Sequence, residues 1–320
     1  MSAGPDRSQA PERPSAKDMV WIAGGSFLMG SEDFYPEERP VHRVDVDGFW
    51  IDRHPVTVAE FRRFVRATGY VTIAERPLDP AMYPDADPDL LVPGALVFHA
   101  TDGPVDLDDY RNWWSYVPGA EWRHPEGPGS TLHGRERHPV TQVAYPDAEA
   151  YAAWAGKELP SEAEWELAAR GGLDGCDFVW GDEPEAHGER RANYWHGEFP
   201  WRSERGYGAR APVGSFPSNG FGLFDMAGNV WEWTSDWYVA RHTEDADKPC
   251  CVPENPRGPA VEESYDPSQP QFKIPRKVIK GGSYLCADSY CLRYRPAARR
   301  PQMIDTGMSH VGIRCVRRDT

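Results

Sequence analysis

The sequence predicts an irregular α+β domain with short strands and little regular secondary structure. Three observations carry that expectation. Only three segments combine helical apolar spacing with start or stop signals. Apolar alternation comes in short runs, separated by turns rich in Gly, Pro, Asn and Trp. No fixed-period repeat or linker interrupts residues 19–320. With 320 residues, 40% of them hydrophobic and 12% aromatic, the chain can bury one large core.

Residues 1–18 are polar and Pro-rich, too poor in apolar side chains to offset the entropy of ordering them, so a disordered tail is expected before a domain at 19–320. In MVWIAGGSFLMGS, Val20, Ile22, Phe27 and Met29 flank a Gly-Gly turn and suggest a hairpin. VHRVDVDGFWIDRHPVT alternates through Val44 and Val46, then Phe49 and Ile51, and suggests another strand. TVAEFRRFVRATGY places Val58, Phe61, Phe64 and Val65 on one helical face, starting from Thr57 and ending at Gly69. Residues 77–128 are dense in Pro, Gly and Asp around Trp113, Trp114 and Trp122, which predicts a long irregular excursion. PDAEAYAAWAG and SEAEWELAARGG predict two more helices, the second opening with Ser161 and Glu164 in capping-box spacing. Beyond Gly172 the short segments DFVWGD, APVGSF, NVWEWTSDWY, KVIKGGSY and HVGIRCV suggest strands, with a second Pro-rich stretch at 249–275.

The net charge of −15 argues against a nucleic-acid partner, because binding phosphates requires a basic surface. The N-terminus has no apolar h-region, and no window approaches the roughly 18 apolar residues of a membrane span. A cytoplasmic protein with no membrane partner is therefore expected, and a monomer is the expected state. Six cysteines are too few for a disulfide-dense secreted scaffold. The ten histidines form no HExxH motif, and no GxGxxG, Walker loop or GxSxG is present, so nucleotide binding and serine-hydrolase chemistry have no support.

Two constellations could carry chemistry. In GGSYLCADSYCLRYRPAARR, Cys286 and Cys291 are separated by four residues. A structural disulfide, a metal site, a redox nucleophile and a bland pair of buried thiols are all open. Two thiolates suit Cu(I), zinc or iron–sulfur. Tetrahedral zinc would need two further ligands, for which the adjacent Cys250 and Cys251 and the isolated Cys315 are the candidates, whereas two-coordinate Cu(I) needs none. A guanidinium among Arg293, Arg295, Arg299 and Arg300 would lower a nearby thiol pKa, or the run could brace acidic loops. In FGLFDMAGNVWEWTSDWY, the oxygen donors Asp225, Asn229, Glu232 and Asp236 surround Gly228, a pattern open to Ca²⁺ and equally to a Trp-rich turn with capping acids.

Taken together, WIAGGSFLMGS, PVTVAEFRRFV, HPVTQVAYPDAEAYAAWAGKELPSEAEWELAARGG, FVWGD, ANYWHGEFP, GLFDMAGNVWEWTSDWY, KGGSYLCADSYCLRYRPAARR and HVGIRCV resemble the formylglycine-generating enzymes, or sulfatase-modifying factors, of bacterial type. The resemblance runs over nearly all of residues 19–320. It implies a C-type-lectin-like fold with little regular structure. It also implies an O2-dependent, copper-dependent oxidase that converts the cysteine of a Cys-x-Pro-x-Arg motif in an unfolded sulfatase to Cα-formylglycine. The block containing Cys286 and Cys291 is what separates this oxidase branch from binding modules and sulfoxide synthases on the same scaffold. A non-catalytic lectin-like binding module is the alternative reading.

By that resemblance Cys286 and Cys291 match the Cu(I) ligands, Ser283 and Tyr290 match residues lining the oxygen pocket, and Trp231 matches an active-site tryptophan. Asp225, Gly228, Val230 and Glu232 match one calcium site, with Gly228 and Val230 acting through carbonyls. Asn193, Tyr194 and Tyr207 match a second, in which Arg205 stands where a ligating Asp is usual and Glu204 is the adjacent acid. Ala152, Ala169 and Pro296 occupy positions where secreted members carry disulfide cysteines, leaving Cys315 without a partner, and His310 stands where asparagine is common. The CCVPEN segment echoes the substrate motif but ends in Asn255 and is read as coincidence. Asp106, Asp108 and Asp109 are candidate carboxylates for an Arg-bearing peptide.

Overall fold

The Gly-Gly step at residues 24–25 does not close a hairpin. In the computed structural model, which describes residues 18–84, 87, 89, 91–185, 189–242 and 252–318, β1 (Met19–Ile22) and β2 (Gly25–Met29) part company there. β2 pairs antiparallel with β3 (His42–Val46), and β1 pairs with β4 (Phe49–Asp52). Gly24, at φ 74°, packs so closely against the turn between β3 and β4 that a Cβ would lie 2.4 Å from the Val46 carbonyl oxygen. The chain therefore switches sheets where the sequence suggested a tight return. The expected tail at residues 1–17, and Cys250 and Cys251, lie outside the described residues.

α1 (Val58–Thr68) forms as its spacing dictates. The Thr57 Oγ1 accepts from the Glu60 N–H at 3.3 Å, the Glu60 carboxylate accepts from the Thr57 N–H at 2.8 Å, and Gly69 ends the helix at φ 68°. Val58, Phe61, Phe64 and Val65 are buried, Phe61 and Phe64 against the Tyr151 ring of α2 (Tyr145–Trp154). α3 (Glu162–Arg170) opens with the Ser161–Glu164 box, a cap of about 1 kcal/mol, and is buried throughout.

The excursion at 77–128 holds a two-stranded sheet, β5 (Gly94–Phe98) with β6 (Trp114–Pro118), so it is less irregular than its composition suggests. The fifteen residues between those strands contain the turn signal Asp102-Gly103, but their length and further Pro and Asp residues hide the pairing. β7 (Gly197–Glu198) and β8 (Arg202–Ser203) form another small pair. DFVWGD yields only an isolated Phe178–Gly181 bridge, and APVGSF is not a strand.

The sheet that positions the thiols has the order β11-β10-β9-β12, built from β9 (Trp231–Trp237), β10 (Arg276–Lys280), β11 (Arg299–Met303) and β12 (Val311–Gly312). β10 is antiparallel to β9 and β11, whereas β12 runs parallel to β9 with Val311 opposite Trp231. β13 (Val316–Arg318) returns to β4. The main core gathers Phe61, Trp165, Trp231, Trp233, Ile279 and Ile313, and a second cluster of Trp113, Trp195, Phe199, Tyr284, Leu285 and Ala287 packs against the thiol loop. Buried ion pairs thread between these layers: Glu38–Arg295, Glu162–Arg299, Glu232–Arg314, and Glu166 with both Lys280 and Arg170.

Candidate active site

β10 runs into Gly281 and Gly282. Gly282, at φ 71°, has no room for a side chain, since a Cβ would sit 2.8 Å from both the Arg293 carbonyl oxygen and the Tyr294 Cα. The chain thus turns flat against the segment that follows the second cysteine. Two tight turns come next: the Cys286 N–H donates to the Ser283 carbonyl at 3.0 Å, and the Tyr290 and Cys291 N–H groups both donate to that of Ala287, at 2.9 and 2.6 Å. The Trp195 N–H fixes the Cys286 carbonyl at 2.7 Å. Folded back this way, Cys286 Sγ and Cys291 Sγ lie 3.5 Å apart as free, buried thiols.

The two sulfurs are not equivalent. The hydrogen bond from Cys286, followed by the Arg293 and Arg300 guanidiniums, holds Cys291 down to about 6. Burial, then the bond to Cys291, pushes Cys286 well above the usual thiol range. Of the two sulfurs Cys291 is therefore the one favoured to ionise and Cys286 the one favoured to keep its proton. Arg293 Nη1 reaches Cys291 Sγ at 3.9 Å, and the Ser283 N–H reaches Cys286 Sγ at 3.4 Å.

The four arginines divide between the two roles open to them. Arg293 and Arg300 act on Cys291, and Arg293 also braces the loop through Glu37 at 2.7 Å. Arg295 and Arg299 brace the loop through Glu38 and Glu162.

All five predicted reaction residues, Trp231, Ser283, Cys286, Tyr290 and Cys291, line one cleft of about 340 Å³. Tyr290 stands at its mouth, 40% exposed, its ring stacked on Phe199 at 4.8 Å and edge-on to Trp113 at 5.4 Å. Trp113, Phe199 and the β11 residues Arg300 and Gln302 were not foreseen as cleft walls. The only hint in the sequence was the unexplained aromatics of the 77–128 excursion. Asp106, Asp108 and Asp109 do not line the cleft; the neighbouring Tyr110 does, with Asp266, which pairs with Arg276 at 3.0 Å. A larger cleft, about 540 Å³, lies beside α1 around Arg62, Arg66, Trp122 and Arg123 and contains none of the predicted residues.

The two predicted calcium sets meet at one junction. Asp225, Gly228 and Asn229 have φ of 57°, 71° and 58°, and a Cβ on Gly228 would lie 2.3 Å from the Asn193 carbonyl oxygen. That oxygen accepts from the Asn229 N–H at 2.7 Å, and Asn193 Nδ2 donates to Asn229 Oδ1 at 3.2 Å. Asp225 is buried and accepts from the Gly214 N–H at 2.8 Å; burial raises its carboxyl, and the Glu232 charge adds to the rise. No Lys or Arg among the described residues forms an ion pair with it. Glu232, by contrast, receives Arg314 at 2.8 and 2.9 Å and Trp165 Nε1 at 2.6 Å. Asp236 serves the backbone, accepting from the Glu162 and Gly258 N–H groups at 2.5 and 2.9 Å.

Tyr194 stacks on Tyr294, with ring centroids 4.1 Å apart, and His196 packs between Tyr194 and Tyr207. Arg190 lies over Tyr207 at 4.9 Å and clamps Glu204 at 2.7 and 2.9 Å.

A family model described as the sulfatase-modifying factor enzyme 1-like domain matches residues 5–319. The chain belongs to this sulfatase-modifying factor family. It is 53% identical over 302 residues to a formylglycine-generating enzyme of Mycobacterium tuberculosis, covering 93% of this chain and 97% of the relative. It is 45% identical over 312 residues to one from Thermomonospora curvata, covering 94% and 93%. Among solved structures it resembles PvdO from Pseudomonas aeruginosa, with a TM-score of 0.63, 25% identity and coverage of 95% and 96%. The α+β fold with small sheets and few helices is the fold of this family.

Within the sulfatase-modifying factor framework, the donor chemistry can be tested against the metals the resemblance implies. Among the described residues no three His, Cys, Asp or Glu converge to hold a metal ion, so the donors at the cleft floor are two soft sulfurs. That set fits a low-coordinate soft cation such as Cu(I) and is two ligands short of tetrahedral zinc. Asp225, a buried carboxylate that forms no ion pair among the described residues and lies beside inward-turned backbone, fits a hard cation. Around Asn193, Tyr194 and Tyr207 the fit fails. Of the carboxylates nearby, Glu204 is already neutralised by Arg190, and Asp288 accepts from the Tyr294 hydroxyl at 2.6 Å.

Proposed function

We propose that this chain is a copper-dependent oxidase that uses O2 to convert the cysteine of a Cys-x-Pro-x-Arg motif in an unfolded sulfatase to Cα-formylglycine. The names of the relatives support the substrate class, and one observation supports the chemistry. Two buried sulfurs 3.5 Å apart, one held as a thiolate, form the floor of an aromatic cleft open to a peptide. A binding module on this scaffold has no use for such a pair.

Bound Cu(I) would be held by Cys286 and Cys291 and would supply the one-electron chemistry with O2 and a seat for the substrate sulfur. The protein's own groups do the rest. Arg293 and Arg300 keep Cys291 ionised, and the Ser283 N–H holds the Cys286 sulfur. Tyr290, stacked on Phe199, bounds the mouth and limits water, while Trp231 and Ser283 wall the place where O2 and the substrate carbon meet. The thiol-bearing carbon gives up two electrons and O2 takes four, so two electrons and two protons must come from an external thiol reductant. The products are aldehyde, sulfide, water and the oxidised reductant.

Ca²⁺ is proposed at Asp225 with the Gly228 and Val230 carbonyls, as a structural ion; Glu232, the fourth residue the resemblance matches, is already engaged by Arg314 and Trp165 Nε1. The proposal includes a cytoplasmic monomer. Cys315, buried and unpaired, supports a reducing compartment, and no helix among the described residues is long and apolar enough to cross a membrane.

The test is to load the protein with Cu(I) anaerobically, add a Cys-x-Pro-x-Arg peptide and a thiol reductant under air, and follow the peptide by mass spectrometry. Loss of sulfur with gain of an aldehyde is expected. A wild-type protein that binds the peptide and leaves it unchanged would refute the oxidase and favour the binding module.

A further inference from the structure

β11 opens with two adjacent arginines, and strand alternation sends their side chains to opposite faces. Arg299 turns inward, buried, and forks onto Glu162 at 2.7 and 2.8 Å. Arg300 lines the cleft beside Cys286, Cys291, Tyr290 and Gln302. Its neighbours in the run each have a carboxylate: Arg293 has Glu37, Arg295 has Glu38 and Arg299 has Glu162. The Arg300 guanidinium has none, and among the described residues it makes no hydrogen bond and no ion pair. It is part-buried, and none of its nitrogens is sealed from solvent, so its five N–H donors are open to whatever enters the cleft.

The cleft holds no free anion to answer that charge. Asp266 is the one carboxylate along its walls among the described residues, and it is taken by Arg276 at 3.0 Å. The guanidinium in contact with the Cys291 sulfur is that of Arg293, at 3.9 Å. Arg300 acts through space on Cys291, Tyr290 and His310, after the larger effects of hydrogen bonding on the first and burial on the other two. Its charge thus reaches both the floor of the cleft and its mouth. A guanidinium is matched best by a carboxylate, which takes two parallel N–H bonds and cancels the charge, whereas a backbone carbonyl leaves the charge unanswered. An extended chain advances about 3.3 Å per residue, so with the reacting sulfur at the Cys286–Cys291 pair the side chains nearest Arg300 are those of its immediate neighbours. We propose that Arg300 selects clients that carry an acidic side chain directly before or directly after the reacting cysteine. This rests on the peptide-oxidase reading above for the identity of the client. With a net charge of −15 the rest of the surface repels such a client, so the preference is a local property of the cleft.

The experiment measures selectivity without turnover. The full chain, loaded with Cu(I) under nitrogen, is titrated against fluorescent motif peptides in which Ser replaces the reacting Cys and the residue before or after it is Ala, Asp or Lys. Anisotropy gives Kd for wild type, Arg300→Gln, Arg300→Lys and Arg300→Glu. Wild type is expected to bind the Asp peptide about fivefold or more tightly than the Ala peptide at one of the two positions, with a smaller ratio at high salt. Arg300→Gln should bring that ratio to about one, Arg300→Lys should keep part of it, and Arg300→Glu should favour the Lys peptide. Comparing two peptides on the same protein cancels any effect of the variant on Cys291 or on the metal, and matching melting temperatures show that the fold is kept. A wild type that binds Asp and Ala peptides equally at both positions, or a preference that survives in Arg300→Gln, would overturn the proposal. If wild type converts Cys peptides to aldehyde with no preference for acid, the oxidase reading stands and the role of Arg300 falls. If the preference is present, is lost in Arg300→Gln, and no aldehyde forms under air, the oxidase reading falls and Arg300 keeps its role. A wild type that binds none of the peptides sinks both.

Discussion

Replacing Arg295 with Met should destabilise this protein more than a typical single substitution, and the reason is where its charge sits. Arg295 and Glu38 are both fully buried, joined by two hydrogen bonds of 2.5 and 3.0 Å, with the guanidinium over the Phe34 ring at 3.5 Å and its Nε donating to the Leu292 carbonyl at 2.8 Å. Removing one partner of such a pair leaves an uncompensated buried carboxylate, at about 3–5 kcal/mol. For a chain somewhat above the 150–250-residue range, at roughly 2 °C per kcal/mol, the melting temperature should fall by about 6–10 °C. Glu38→Leu combined with Arg295→Met removes both charges and should recover most of the loss.

The pH dependence has a definite sign. Burial, the largest influence, already raises the Glu38 carboxyl in the wild type, and losing Arg295 raises it further. A carboxyl whose folded value is raised contributes its stability at low pH and loses it as pH rises through that value. The deficit of the single variant should therefore be smaller at pH 5 than at pH 8. Calorimetry of the four proteins of the cycle decides the matter. An Arg295→Met protein melting within a degree of wild type, or a double variant no better than the single one, would refute the brace.

Cys286→Ser and Cys291→Ser should each abolish tight Cu(I) binding in a competition titration while keeping the fold within about 1–2 kcal/mol of wild type, since a hydroxyl is a poor ligand for a soft cation; full copper affinity in either variant would dismiss the bis-thiolate site. Chelation by EGTA should lower the wild-type melting temperature, Asp225→Asn should remove most of that response, and elemental analysis should find one calcium per chain; two bound ions would contradict the reading of the Arg190–Glu204 clamp. Against the upward push of burial, Lys280 and Arg170 hold Glu166 down to about 2. Its stabilising contribution should be whole at pH 7 and fade as pH falls from the ordinary carboxylate range toward 2. Comparing melts of wild type and Glu166→Gln between pH 6 and 3 checks this, and a gap that does not narrow on acidification would count against it.

Local signals were legible and long-range pairing was not. Thr57 and Gly69 mark both ends of α1, because a capping box and a left-handed terminator are written within one stretch of chain. The thiols could be found because soft-ligand chemistry depends on residue type. β11 went unseen because RRPQM has no apolar alternation: Arg299 is spent on Glu162, Arg300 on the cleft, and Pro301 resembles a breaker. The β5–β6 pair and the separation of β1 from β2 are likewise decided by partners far away in sequence. The cleft was half legible for the same reason. Its floor is one contiguous loop, while Trp113, Phe199 and His310 arrive from three others.

A fold with this little regular structure still has to hold two sulfurs 3.5 Å apart without letting them drift or oxidise, and its hydrogen-bonded ladders are too short to do so alone. The thiol loop is instead pinned from the side: Arg293 to Glu37 at 2.7 Å, Arg295 to Glu38, Arg299 to Glu162, and Lys280, at the end of β10, to Glu166. Buried pairs of this kind add little net stability, because desolvation cancels much of their attraction. Their value is directional. A fork-to-carboxylate contact fixes orientation as well as distance, and several of them on successive turns leave the loop one arrangement. The arginines that follow Cys291 therefore perform two tasks that a hydrophobic loop could not combine, supplying the positive field that keeps one sulfur ionised and the rigid frame that holds the other within hydrogen-bonding reach of it.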